Sequence, residues 1–249
     1  MINGINSREM ILEILLEIEE GEHSHVAIRN ALSKYQFLPK QDRAFITRVC
    51  EGTLEYRIQI DYIINSFSKV TVDKMKPAIR EILRSAVYQL KYMDSVPDSA
   101  VCNEAVKLAQ RKGFYNLKPF VNGVLRTIAR EMDQVRFPQK EDDLLKYLSV
   151  KYSMPEVLVT RWLEAYGEET TEKILADFLM EHPLTIRCRT YLNSKEEVIK
   201  SLESQGVHVA PAPYLPYAYS ISEFNHILAL DAFIKGKIVV QDVSSMLVA

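Results

Sequence analysis

The amino-acid sequence predicts an all-α helical domain followed by a small α+β domain. Apolar residues recur at helical spacing through about residue 135, and from Leu184 onward they alternate with polar residues, as in a half-buried strand. Only 8 of the 249 residues are glycine, which argues against a turn-rich all-β chain. The length suits two domains, each with its own core.

Seven consecutive helices are predicted in the first domain, each with one apolar stripe that faces a shared core. The stripes fall within residues 11–18, 27–35, 41–54, 60–67, 79–90, 101–109 and 121–132. Asn6 is predicted to cap the first helix and Asp98 the sixth. Pro77 suits the first turn of the fifth helix.

A polar, proline-containing segment then interrupts the helical period. We assign residues 1–137 to the helical domain, 138–143 to a linker and 144–249 to the second domain. The second domain is predicted to begin with connecting helices, one of which starts at a capping box formed by Ser153 and Glu156.

The remainder of the second domain is predicted to be a ferredoxin- or RRM-like unit. Its elements follow the order β-α-β-β-α-β, the split βαβ arrangement. The first strand covers residues 184–189, and a capping box of Ser194 and Glu197 starts the helix that follows.

The charge is unevenly distributed along the chain. The formal net charge is −2, yet residues 23–140 carry 20 basic and 11 acidic residues. Such an excess favours binding to a polyanion, because basic side chains that contact phosphates release condensed counterions. A merely well-solvated helical surface is the alternative.

Eleven basic residues are the candidates for RNA contact, most of them on the last three helices of the first domain. They are Arg80, Arg84, Lys91, Lys107, Arg111, Lys112, Lys118, Arg126, Arg130, Arg187 and Arg189. Helical spacing predicts that Arg80, Arg84 and Lys91 lie on the face away from the core. The alternatives are that cations at a helix C-terminus complement its dipole, and that the strand arginines form exposed ion pairs.

No complete active site is recognisable in the sequence. It has no glycine-rich phosphate loop, no nucleophile elbow and no histidine pair at metal-binding spacing. Cys50, Cys102 and Cys188 are isolated and fit buried structural positions. We therefore expect no cofactor or metal site, and the lack of a signal peptide or long apolar segment predicts a soluble, cytoplasmic protein.

A series of short motifs in the first domain resembles the NusB-type RNA-binding domain. The motifs are Asp42-Arg43-Ala44-Phe45, Gly52-Thr53-Leu54, Ile82-Leu83-Arg84, Tyr88-Gln89-Leu90, Val96-Pro97, Asn103-Glu104-Ala105-Val106 and Phe120-Val121-Asn122-Gly123-Val124-Leu125-Arg126. The resemblance implies an all-α RNA-binding fold for this half of the chain.

Two further motifs resemble the segment ahead of the catalytic domain in RsmB (Sun/Fmu) methyltransferases. They are Pro183-Leu184-Thr185-Ile186-Arg187 and Val240-Gln241-Asp242 with Ser244-Ser245. This family methylates carbon 5 of a cytosine in small-subunit ribosomal RNA with S-adenosylmethionine. The resemblance implies that the donor loop and catalytic cysteines lie beyond Ala249, so this chain alone is expected to be inactive. Where the family usually has Arg-Val-Asn, this chain has Arg187-Cys188-Arg189.

The predicted function is therefore RNA binding and positioning for a ribosomal RNA methyltransferase, with small-subunit ribosomal RNA as partner and neither DNA nor a membrane expected. One alternative is a NusB-like antitermination factor that regulates transcription and binds RNA together with a ribosomal protein, although such a factor does not need residues 144–249. Another is a protein-interaction module whose first two helices dock a partner and carry an acidic rim. The rim consists of Glu13, Glu17, Glu19, Glu20 and Glu22.

Overall fold

The chain folds into two compact units, Met1–Leu179 and Met180–Ala249. The computed structural model describes residues 6–35, 38–180, 182–191, 193–224 and 226–248. Among these residues, no helix is both long and apolar enough to cross a membrane.

The described residues of the first unit form nine α-helices. They are α1 (Ser7–Glu19), α2 (Ser24–Lys34), α3 (Lys40–Glu55), α4 (Arg57–Phe67), α5 (Pro77–Tyr92), α6 (Asp98–Arg111), α7 (Lys118–Glu131), α8 (Leu144–Lys151) and α9 (Glu156–Phe178). The seven helices predicted for the first domain are thus confirmed as α1–α7.

The helix starts agree with the sequence at two positions and differ at two. The Asn6 side chain accepts a hydrogen bond from the Arg8 amide, and Pro77 lies in the first turn of α5. The predicted Asp98 cap is wrong, because the extended Pro97 takes the N-cap position and Asp98 is the first helical residue. The predicted Ser153 cap is also wrong.

Ser153 has a different partner because Pro155 takes the N-cap position of α9. Ser153 has a φ of 53°, and its hydroxyl accepts a hydrogen bond from the Ile58 amide at 3.0 Å. A serine predicted to start one helix therefore connects the α8–α9 turn to α4.

Helix α5 is the centre of the first unit. It packs against α1, α3, α4, α6 and α7, and every residue from Glu81 to Gln89 is buried. The prediction of a single apolar stripe on α5 is therefore wrong, because neighbouring helices surround this helix. Its polar side chains must find partners inside the core.

The predicted linker 138–143 lies inside the first unit. The helix that follows it, α8, is held on α4 by Gln59, whose amide nitrogen donates to the carbonyls of Val150 and Lys151, both at 3.1 Å. Helix α9 changes direction at Gly167, where a φ of 74° interrupts the helical backbone.

The second unit contains an antiparallel four-stranded sheet. Its elements are β1 (Leu184–Cys188), α10 (Lys195–Glu203), β2 (His208–Pro211), β3 (Ala218–Ser222), α11 (Asp231–Ile234), β4 (Ile238–Val240) and α12 (Val243–Val248). The strand order β2-β3-β1-β4 confirms the predicted ferredoxin-like arrangement. The Ser194 hydroxyl accepts from the Glu197 amide, as its capping box predicts.

One face of this sheet forms the core of the second unit. Ile186 and Cys188 of β1 pack there with Val198 and Leu202 of α10 and with Ile238 of β4. The alternation in β1 consequently directs its polar side chains to the opposite face.

Candidate RNA interface

Arg84 is buried, although its spacing predicts an exposed position. Its guanidinium donates to the Asp61 carboxylate at 2.7 and 2.6 Å and to the Glu81 carboxylate at 2.5 Å. The side chain is only 9% exposed. Burial lowers the pKa of this guanidinium and the two carboxylates raise it, with a net rise. Arg84 therefore connects α4 to α5 inside the bundle.

Arg80 and Lys112 are both neutralised by carboxylates of α1. Arg80 forms an ion pair with Glu19 and donates to the Val72 carbonyl at 3.1 Å. The Lys112 ammonium lies 3.1 Å from the Glu9 carboxylate and 3.0 Å from the Glu13 carboxylate. Glu13 and Glu19, two members of the acidic rim, thus bind cations of the same chain.

Five of the candidates remain on neighbouring helices α6 and α7 and define a surface that we call the α6–α7 ridge. Its members are Lys107, Arg111, Lys118, Arg126 and Arg130. Lys107 pairs with Glu104 at 2.8 Å and Arg130 with Glu131 at 2.6 Å, but both basic side chains remain mostly exposed. Ion pairs of this kind contribute little and yield readily to a competing anion.

Arg126 is held in a different way. Its guanidinium donates to the side-chain oxygens of Asn122, one turn away at 2.9 Å, and of Asn103 on α6 at 3.3 Å. Because both partners are neutral amides, they orient the guanidinium without neutralising its positive charge. This geometry favours a phosphate contact.

The candidate list from the sequence omitted Asn103, Asn122 and Arg8. Both asparagines lie within motifs that carry the family resemblance, and Arg8 is the one basic residue among the first 22. The Arg8 guanidinium lies 5.3 Å from the centre of the Phe45 ring, and burial lowers its pKa while Glu104 opposes that effect. Its Nε atom is buried and has no hydrogen-bond partner among the described residues.

Lys91 is half-buried in the last turn of α5. Its ammonium is 5.5 Å from the ring centres of both Tyr92 and Phe137. Burial lowers the pKa of this lysine, and Asp133 opposes the shift.

The second unit presents Arg187 on the sheet face opposite its core. Arg187 pairs in register with Ala218 and Val239, and Thr185 pairs with Ser220, so these side chains share one face as predicted. The Arg187 guanidinium lies 5.4 Å from the centre of the Tyr217 ring. Arg189 lies just past the end of β1, where its amide donates to the Lys237 carbonyl at 2.9 Å.

The three cysteines are buried, as the sequence predicts. Burial raises the pKa of each thiol, to about 11 for Cys188, so all three are protonated near neutral pH. Within the described ranges, no group of three His, Cys, Asp or Glu side chains is arranged to hold a metal ion.

The fold and its exposed basic residues define a class: a NusB-type helical bundle that carries a ferredoxin-like domain. Residues 5–130 match the model of the NusB family, and residues 154–227 match the RsmF/B-like methyltransferase ferredoxin-like domain. The chain belongs to the NusB family, and its second matched region is similar to the ferredoxin-like domain of RsmF/B-type methyltransferases.

Individual relatives agree with both assignments. The probable ribosomal RNA small subunit methyltransferase B of Bacillus subtilis is 32% identical over 97% of this chain and 53% of its own length. The transcription antitermination protein NusB of Dictyoglomus thermophilum is 33% identical over 52% of this chain and 85% of its own length. The chain thus spans about half the length of the methyltransferase relatives it matches.

The crystal structure of PH0851 shares the fold. It has a TM-score of 0.71 and 24% sequence identity, and the match covers 98% of this chain and 55% of that chain. The match therefore extends over both units.

Proposed function

We propose that this chain is the RNA-binding and positioning region of an S-adenosylmethionine-dependent methyltransferase that acts on carbon 5 of a cytosine in small-subunit ribosomal RNA, in the cytoplasm. The observation that carries the proposal is the pairing of the two domains along one chain. The alignment with the Bacillus subtilis methyltransferase covers 97% of this chain, and therefore both of its domains.

The α6–α7 ridge is proposed to bind the RNA backbone. Phosphate contacts set the register and orientation of a protein on nucleic acid without reading its sequence. Arg126 is the central candidate, because Asn103 and Asn122 hold its guanidinium in place without neutralising it. Arg80, Arg84 and Lys112 are left out of this proposal, since carboxylates of the same unit already bind them.

The open face of the sheet is proposed as a second contact. Single-stranded RNA is recognised by planar groups on which bases stack and by arginine side chains. Arg187 beside Tyr217 supplies both features on one partly exposed surface, and Arg189 at the end of β1 adds a further cation.

The described residues do not fit S-adenosylmethionine. The sheet is antiparallel, whereas nucleotide-type cofactors of open α/β folds bind at the carboxyl ends of parallel strands. The three cysteine thiols are buried and protonated, so none is a nucleophile. We assign no step of methyl transfer to this chain, and the cofactor is proposed only for the methyltransferase as a whole.

An antitermination role is the second candidate, with a ribosomal protein as partner. The match to NusB of Dictyoglomus thermophilum favours it, since that match covers 85% of the relative. The region matched as a methyltransferase ferredoxin-like domain, residues 154–227, favours the first proposal, because it lies outside residues 5–130, which match the NusB family.

The test is RNA binding measured by fluorescence anisotropy, with labelled stem-loops that tile small-subunit ribosomal RNA. Affinity should fall steeply between about 50 and 200 mM salt as phosphate contacts are lost. Arg126→Gln and Arg130→Gln should each lower the slope of log K against log salt by about 1. Lys173→Gln is the control, because this exposed lysine pairs with Glu169 on α9. Salt-independent binding would overturn the proposal.

A further inference from the structure

A cleft of about 260 Å³ lies within the first unit, bordered by α4, the end of α5, residues 137–139 and α8. Its lining includes Gln59, Lys91, Phe137, Gln139, Tyr147 and Lys151. We call it the Lys91 cleft. Its volume is just below the ~300–1,000 Å³ typical of pockets for drug-sized ligands, so it suits a single small ligand.

One of the two lysines in this cleft, Lys91, has no contact with an anionic group of the described residues. Lys91 Nζ has two aromatic rings at 5.5 Å, and no hydrogen-bond acceptor or carboxylate oxygen contacts it in the part of the chain that the structure describes. Asp133 acts on it only at longer range. Because these residues give Lys91 Nζ no acceptor, an anion that enters the cleft can form a charge-assisted hydrogen bond with it.

The second lysine of the cleft is already satisfied. Lys151 donates to the Glu172 carboxylate at 2.9 Å and to the Tyr147 hydroxyl at 2.7 Å. Lys91 is therefore the cation that remains available for a ligand.

The walls of the cleft are held by contacts behind them. Phe137 stacks on Tyr62 with ring centres 5.7 Å apart, and the Tyr62 hydroxyl donates to the Arg136 carbonyl at 2.7 Å. Gln59 connects α4 to α8 beneath the cleft and accepts a hydrogen bond from Tyr92. A site whose walls are fixed in advance loses little conformational freedom on binding.

We propose that the Lys91 cleft binds one nucleotide of single-stranded RNA. The phosphate is bound by Lys91, and the base lies against the apolar wall of Phe137, Pro138 and Tyr147. A lysine beside aromatic side chains is the combination that proteins use for single strands. This inference rests on the proposed RNA-binding function and adds a position outside the α6–α7 ridge. The same chemistry fits a free mononucleotide, so the experiment has two arms.

The first arm measures binding of uridine 5′-monophosphate, uridine and inorganic phosphate to the full chain by NMR titration. The monophosphate should shift the ring signals of Phe137 and Tyr147, and both fragments should bind more weakly. Lys91→Gln should weaken monophosphate binding about tenfold, since a hydrogen bond to a charged group is lost. Lys69→Gln removes one positive charge from an exposed position and should have no effect.

The second arm measures the affinity of the same three proteins for single-stranded and stem-loop RNA. Weaker RNA binding by Lys91→Gln, but not by Lys69→Gln, supports the cleft as an RNA subsite. If the unaltered chain binds RNA with salt-sensitive affinity and Lys91→Gln binds equally well, the cleft proposal is overturned and the RNA-binding function stands.

The opposite failure is also recognisable. If the unaltered chain binds no RNA but binds the monophosphate in a Lys91-dependent way, the proposed function fails and the cleft is a site for a free nucleotide. If neither ligand binds, both proposals fail.

Discussion

Arg84 and Asp61 form two parallel hydrogen bonds, 2.7 and 2.6 Å long, between the central helix α5 and its neighbour α4. Glu81 binds the same guanidinium from one turn earlier on α5. The three side chains satisfy one another in a region where unpaired polar groups are costly.

Removing one member of this group should destabilise the bundle severely. We expect Asp61→Ala to lower the free energy of unfolding by about 3 kcal/mol, because it leaves Arg84 with an incomplete set of partners in the interior. Urea denaturation followed by circular dichroism measures the change. Glu104→Ala disrupts the more exposed pair with Lys107 and should cost under about 1 kcal/mol. Equal effects of the two substitutions would contradict the structural role of Arg84.

Gly52 allows α3 to approach the aromatic ring of Tyr88. A Cβ atom at this position would lie 2.1 Å from Tyr88 Cζ, so Gly52→Ala requires the buried ring to move. We expect a loss of about 1–3 kcal/mol in the free energy of unfolding. Gly123→Ala is a matched control on α7: its Cβ would meet nothing within 4 Å, and alanine should stabilise the helix by up to about 1 kcal/mol. Thermal melting of both variants gives the comparison.

Periodicity predicts which segments of this chain are helical, and all of α1–α7 were predicted. It does not predict which helix is central. The spacing of an exposed stripe is followed by Arg80, Arg84 and Lys91. Other helices surround α5, however, so Arg84 is buried and forms an ion pair with Asp61 inside the bundle. Burial of this kind depends on contacts between residues far apart in sequence, such as Asp61 and Arg84, which a local pattern does not contain.

The sequence likewise predicted the charged residues of the candidate interface but not the side chains that contact them. Charge and spacing identified Arg126, but not the amides that orient it, because Asn103 lies on a different helix. The alternation in β1 identified Arg187 and its face, whereas its neighbour Tyr217 comes from a separate part of the chain. Local patterns thus identified the charged side chains. The fold determines which of them pair with carboxylates of the same chain and which can still bind an anion.

The amide at Asn103 should matter for RNA binding because it is neutral. Asn103→Asp places a carboxylate beside the Arg126 guanidinium, so we expect roughly fivefold weaker RNA binding, equivalent to about 1 kcal/mol. Asn103→Ala removes the hydrogen bond but leaves the charge of Arg126 intact, and its effect should be smaller. Anisotropy titrations at low and high salt separate the two. Identical losses in both variants would show that orientation, and not charge, governs this position.

Glu172 connects three side chains of the first unit and should make its stability depend on acid. Its carboxylate accepts from Lys151 at 2.9 Å, from Tyr152 at 3.0 Å and from Lys140 at 3.2 Å. The hydrogen bond from Lys151 is the main cause that lowers the pKa of this carboxyl from 4.5 to about 2. Since the folded state holds the proton less tightly than the unfolded state, the stabilisation is present above pH 4.5 and is lost as the pH falls toward 2.

Glu172→Gln should therefore reduce the free energy of unfolding most at neutral pH, by about 1 kcal/mol because the ion pairs are partly exposed. The difference from the unaltered chain should shrink as the pH falls from about 4.5 toward 2, because the carboxyl of the unfolded chain takes up its proton at a higher pH than the folded carboxylate does. Urea titrations across this range measure it. Glu169→Gln removes a carboxylate that is 85% exposed and should show almost no difference at any pH. If the difference in the free energy of unfolding between Glu172→Gln and the unaltered chain stays constant with pH, the carboxylate contributes through packing and not through its charge.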